Sequence, residues 1–127
     1  MLIIMVTEND ILKQEYKNGI IYCYFKKNTI DIDIAKEIAK IRLEHFGDKN
    51  YPVILFDENI KTITKEARDY FNTDEASKGI SASAIILKNP LGKILANFIF
   101  GLKKPKVPVK FFNDVKEAEK WLENYKT

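Results

Sequence analysis

Apolar and polar residues alternate on either side of Lys17-Asn18-Gly19-Ile20, and this is the sharpest local signal in the chain. Asn-Gly suits a two-residue turn whose central positions both take positive φ, so the flanking segments are predicted to form a β-hairpin. A turn of that length sets the register. It pairs Tyr16 with Ile21, Gln14 with Cys23 and Leu12 with Phe25 on one face, and Lys17 with Ile20, Glu15 with Tyr22 and Lys13 with Tyr24 on the other. The first set reads as inward. The second mixes charge with tyrosine, as on a face that helices only partly cover.

The period then becomes helical. Asp31 or Asp33 is placed to cap a helix that runs to about Phe46, with Gly47 as the left-handed residue that ends it. Steps of 100° put Asp33, Lys36, Glu37, Lys40 and Glu44 on one side and Ile34, Ala35, Ile38, Ala39, Ile41 and Phe46 opposite. Arg42 falls in the middle of the apolar side. It must find a carboxylate or backbone carbonyls, or extend its head to solvent from a buried stem.

Val53-Ile54-Leu55-Phe56 and Ala84-Ile85-Ile86-Leu87 are short, continuous apolar runs of the kind found in central strands covered on both faces. Between them, Thr62 or Thr64 is expected to cap a helix with Ile63, Ala67, Tyr70 and Phe71 inward, ending before Gly79. Asn89-Pro90 opens a third helix to about Phe100, since proline is tolerated at the first helical position. Pro105 and Pro108 stiffen a connector into a last strand, Val109-Lys110-Phe111-Phe112. Asn113 or Asp114 then caps a final helix with the stripe Val115, Ala118, Trp121, Leu122 and Tyr125. The order ββαβαβαβα predicts a single α/β domain over residues 1–127, with a mixed sheet of about five strands, about four helices, and parallel pairing after the hairpin. Residues 1–8 are expected to fray or to add a short pairing segment.

Three stretches, together with the hairpin, resemble the STAS fold of the anti-sigma-factor antagonists, and more closely the SpoIIAA-like group of small bacterial STAS/SEC14-like proteins. They are Tyr51-Pro-Val-Ile-Leu-Phe-Asp57 with Ile63-Thr-Lys-Glu-Ala-Arg-Asp-Tyr-Phe71, then Asn89-Pro-Leu-Gly-Lys93, and Phe111-Phe-Asn-Asp114 followed by Ala118, Trp121 and Leu122. The resemblance implies a binding or regulatory domain without catalysis. In the phosphorylatable antagonists, the central strand leads into an Asp-Ser-Ser/Thr-Gly type of turn. Here the stretch reads Asp57-Glu58-Asn59-Ile60-Lys61-Thr62, so the aspartate is present and the serine and glycine are not. A switch in this loop would have to use a shifted hydroxyl, Thr62 or Thr64, beside Asp57 and Asn59.

Composition narrows the chemistry. The chain has 127 residues, 21 basic and 18 acidic side chains and a formal net charge of +3, which is too balanced to point to nucleic acid. One cysteine, Cys23, and one histidine, His45, provide neither a disulfide nor a zinc-type ligand set, and they suggest a reducing, cytoplasmic setting without a cofactor. No apolar run approaches the roughly 20 residues of a membrane span, so an integral membrane protein is not expected. Cys23 sits mid-strand facing inward, and His45 lies at a helix end that favours its charge, so a nucleophilic site is hard to assemble. A receiver-type phosphoacceptor at Asp57 lacks the acidic pair and the lysine it needs. That residue is better read as accepting backbone N–H groups or as pairing with Arg42 in a buried ion pair.

Asn89-Pro90-Leu91-Gly92-Lys93 lacks the spaced glycines of a phosphate loop and reads as an ordinary capped helix. Phe100, by contrast, projects away from that helix's apolar stripe, among Lys93, Lys103 and Lys104. It is either a contact patch for an acidic protein partner, a second copy or anionic lipid headgroups, or a phenylalanine folded under the connector. The two functional readings are a non-enzymatic interaction module, acting through a partner or as a homodimer, and a carrier or sensor of an apolar, lipid-like ligand.

Overall fold

The computed structural model describes residues 5–47, 49–56, 58–87 and 105–126. Strands β2 (Leu12–Lys17) and β3 (Ile20–Phe25) pair antiparallel in the expected register, with Gln14 opposite Cys23 and Glu15 opposite Tyr22. Asn18 and Gly19 both take positive φ, 52° and 77°, which gives the turn the twist of its flanking strands.

β1 (Met5–Glu8) adds to the outer edge of this hairpin, antiparallel to β2. Its turn is closed by Asn9, whose Oδ1 accepts from Ile11 N at 2.8 Å and Leu12 N at 3.0 Å. Three of its four residues are exposed, so no buried alternation announced it. It raises the main sheet to six strands where about five were expected. The sheet order is β1-β2-β3-β5-β7-β8, with β5 (Tyr51–Phe56), β7 (Ile80–Ile86) and β8 (Val109–Phe112) following β3 in parallel.

A second pairing was also absent from the sequence reading. β4 (Thr29–Ile30) and β6 (Thr62–Ile63) form a two-residue parallel pair that joins the loops leaving β3 and β5.

Helix α1 (Ile32–Phe46) is capped by Asp31, which accepts from Ile34 N at 2.9 Å, and it ends where Gly47 at φ 69° donates its N–H to Leu43 O. The helix expected between Thr64 and Gly79 is divided in two, α2 (Lys65–Phe71) and α3 (Asp74–Ser77). The division occurs at Thr73. Its hydroxyl donates to Tyr70 O at 2.7 Å and accepts from Ala76 N at 3.2 Å, ending one helix and starting the next. Asp114 caps α4 (Val115–Leu122), which runs into a 3₁₀ turn at Glu123–Tyr125. The helix expected from Asn89 to Phe100 lies outside the described residues.

The sheet divides two cores. On one face α1, α2 and α3 cover Leu12, Ile21, Cys23, Phe25 and Val53. On the other α4 covers Ile20, Tyr22, Ile54, Ala84 and Ile86 through Ala118 and Leu122. Tyr22 also reaches across to hydrogen-bond Glu119.

The turn provides a direct check on this architecture. Gly19→Ala should lower unfolding stability by roughly 1–2 kcal/mol, the strain of a left-handed L-residue, while Asn18→Gly should leave it near the parent value. Urea titration measures both, and an unchanged midpoint for Gly19→Ala would count against the hairpin geometry.

Candidate functional site

Between the sheet and the three helices above it lies a cavity of about 160 Å³. Its floor comes from alternate residues of four neighbouring strands, Gln14, Cys23, Val53 and Leu55 among them, with Ser83 and Ile85 continuing it on β7. Ile38 and Arg42 of α1 and Ala76 of α3 form part of the roof. Ile30, Ile60 and Ile63 close the side beside the small β4–β6 pair, and Pro105, Lys106 and Val107 bound another part of the wall. Most of this lining is aliphatic or aromatic.

The polar exceptions are Asn72, Ser77 and Lys106 toward the outside and three buried side chains, Gln14, Arg42 and Ser83. Gln14 is 1% exposed and Arg42 6%. Gln14 Nε2 lies 3.8 Å from Cys23 Sγ, a weak contact, while its Oε1 has no partner among the described residues. One Arg42 terminal nitrogen, Nη2, donates to Ala76 O at 2.7 Å and Lys78 O at 2.9 Å, whereas Nε finds no acceptor. The arginine therefore satisfies carbonyls at the end of α3 that the short helix cannot pair itself. Burial pulls its pKa down, and the neighbouring Cys23 and Tyr70 oppose that. No carboxylate pairs with it among the described residues.

Burial in turn pushes the Cys23 thiol up to about 11, with the Gln14 contact and the Arg42 charge opposing it only in part. That shift favours the protonated thiol, the less nucleophilic form. His45 is exposed at the end of α1, its Nδ1 2.8 Å from Ile41 O, well away from Cys23 in sequence and setting. Among the described residues no three histidine, cysteine, aspartate or glutamate side chains gather in a metal-binding group, and no helix is long and apolar enough to cross a membrane.

The loop after β5 is tied down. Asn59 Nδ2 donates to Phe25 O at 3.0 Å, Lys61 N and Thr62 N donate to Asn28 O, and Thr64 N donates to Ile30 O. Thr62 is an exposed residue of β6, and Thr64 Oγ1 is occupied as the cap of α2, accepting from Ala67 N at 3.2 Å. Asp57, the aspartate proposed as a switch residue and as the Arg42 partner, lies outside the described residues. So do Phe100, Lys93, Lys103 and Lys104 of the suggested contact patch. Sequence reasoning singled out Arg42 and missed Gln14, whose only signal was an uncharged polar residue on the inward face of the hairpin.

Two expectations follow. Arg42→Ala should destabilise the fold by roughly 2 kcal/mol or more, because a buried carbonyl and a partly buried one lose their donor, and a melt indistinguishable from the parent would place the side chain at the surface. The second concerns alkaline pH. Burial pushes Tyr24 up to about 12 and raises Tyr22 and Tyr70 as well, in the same direction as Cys23. In the unfolded chain these groups release protons from about pH 8.5 to 10, earlier than in the fold. The stabilisation is thus complete below about pH 8.5 and is lost as pH rises through 11 to 12. Urea midpoints at pH 7.5 and pH 10.5 should fall in that order.

Comparison with known proteins places this arrangement. A search of solved structures matches an uncharacterised protein of the DUF3478 family, with a SpoIIAA-like fold, from Shewanella loihica PV-4, at a TM-score of 0.53 and 15% identity, covering 95% of this chain and 93% of that one. The fold is SpoIIAA-like, and identity at this level speaks to the fold alone. No curated protein matches. The model of one family, Domain of unknown function (DUF7793), matches residues 12–126, and the chain belongs to that family.

Proposed function

We propose that this chain is a non-catalytic binding domain whose cavity holds a small, mainly apolar ligand, as a carrier or sensor. The observation that supports this reading is the cavity itself, about 160 Å³ in volume, with mostly apolar walls and a few polar side chains, Gln14, Arg42 and Ser83 buried among them. Small-molecule sites share this composition, an apolar lining with a few polar groups that orient the occupant. A cavity of roughly 150 Å³ is large enough for benzene. Ligands of six to eight heavy atoms are therefore the right scale.

Catalysis finds little support, because burial favours the neutral form of the Cys23 thiol and neither Ser77 nor Ser83 has a histidine beside it among the residues that line the cavity. A cytoplasmic location agrees with a lone, buried free cysteine. The interaction-module reading depends on Phe100 and the lysines around it, outside the described residues, and draws nothing from this geometry.

Neutral probes test the reading. Toluene or 1-hexanol at ten times its Kd should contribute about 1.4 kcal/mol by mass action and raise the melting temperature by roughly 4 °C. Ser83→Leu, which fills the cavity from β7, should abolish that rise while keeping the native circular dichroism spectrum. Failure of both probes to shift the parent melt would remove the reading.

A further inference from the structure

The two edge strands of the main sheet are built differently. β8 is entered from Pro108 and carries an exposed Lys110, and proline and lysine are what natural edge strands use against pairing with another chain. β1, Met5-Val6-Thr7-Glu8, has neither. Its pairing with β2 is continuous from Met5 opposite Tyr16 to Glu8 opposite Lys13, and among the described residues no strand lies beyond it. Met5, 41% exposed, and Val6, 50% exposed, are the exposed large hydrophobic side chains of the described residues, adjacent on this one strand and directed to opposite faces. The strand's one charge, Glu8, sits at its end and is matched by Lys26.

The turn fixes which backbone groups face outward. Asn9 N donates to Leu12 O, so residues 9 and 12 form a hydrogen-bonded pair, and alternation makes Thr7 with Gln14 and Met5 with Tyr16 the next ones. The N–H and C=O groups of Val6 and Glu8 therefore point away from β2. We infer that β1 is a homodimer interface, pairing antiparallel with β1 of a second copy about a two-fold axis at Val6. In this register Val6 exchanges both backbone bonds with the partner's Val6, Met5 lies opposite the partner's Thr7, and every side chain keeps its face. The two Glu8 carboxylates end four positions apart, roughly 13 Å, beyond the screening length at physiological salt. Moving the axis to Thr7 would instead set each Glu8 against Val6. Self-pairing also closes at two chains, whereas β1 on the β8 edge of another molecule would be head-to-tail, open-ended and opposed by Lys110. This interface stands apart from the cavity and from whatever fills it.

Sedimentation of the full chain, from micromolar up to roughly 1 mM, tests the inference, since even a millimolar complex is populated there. The mass should rise from 14.8 kDa toward twice that value. Val6→Lys should weaken dimerisation at least tenfold while the circular dichroism spectrum stays native. Val6→Pro, which removes only an outward N–H, should do the same, and the lysine variant serves if the proline one does not fold. On mild oxidation Val6→Cys should cross-link to its own copy and Glu8→Cys should not, because a disulfide joins Cα atoms no more than about 7 Å apart. Cys23 is buried and stays out of that reaction. A chain that remains monomeric at every concentration overturns the inference, as does a dimer that Val6→Lys leaves intact or one that Glu8→Cys cross-links as readily as Val6→Cys.

Discussion

The geometry of the cavity depends on two backbone torsions in the hairpin turn. With Asn18 and Gly19 both at positive φ, the loop between β2 and β3 contains two residues, and the register that follows places Leu12, Gln14 and Tyr16 on the face covered by α1. A slip of one position would exchange every side chain between faces. Lys13 and Glu15 would then lie under the helices and Gln14 would face α4. The second core depends on the same register, because Tyr22 reaches Glu119 only from the face it now occupies. Asn-Gly thus decides the chemistry on both sides of the sheet.

Arg42 is the second constraint, and it works between helices. Taking a guanidinium out of water costs several kcal/mol, and two charge-assisted bonds to carbonyls return roughly 1.5–3 kcal/mol each. The balance is close, so the arginine is not explained by stability alone. Its structural effect is specific all the same. α3 has four residues and cannot pair its own last carbonyls, and the arginine of α1 does so across the interface. The same side chain holds the roof together.

Much of this was legible in the sequence, for reasons that differ by element. The hairpin was readable because Asn-Gly has few alternatives in backbone torsion space, and α1 because a fifteen-residue amphipathic pattern with Asp31 and Gly47 at its ends repeats its signal several times. Arg42 stood out as a charge on an apolar stripe. The strand Met5–Glu8 was only one of two alternatives for residues 1–8, because an exposed edge strand is held by backbone bonds that leave no alternation in its side chains. The β4–β6 pair is two residues long and is created by the loops that tertiary packing brings together, so no local pattern encodes it. The break at Thr73 depends on one hydroxyl serving two helix ends. Gln14 was placed on the correct face, but that it would be left with an unpartnered, buried oxygen is a property of packing, which periodicity does not describe.

The β4–β6 pair has a mechanical consequence. On that side the cavity wall is laced to the ends of β3 and β5 by backbone and side-chain hydrogen bonds from Asn59, Lys61, Thr62 and Thr64, and to move it several must break together. Where Lys106 bounds the cavity, the connector is tied by one backbone bond, Ser83 N to Pro108 O at 2.9 Å, and by an exposed ion pair of Lys106 with Asp74 at 3.4 Å, and exposed pairs hold weakly in salt. The two sides therefore differ in compliance. For the ligand proposed above, the wall at Ile30 and Ile63 would be the fixed template, and the wall at Lys106 the one whose hold weakens as salt rises.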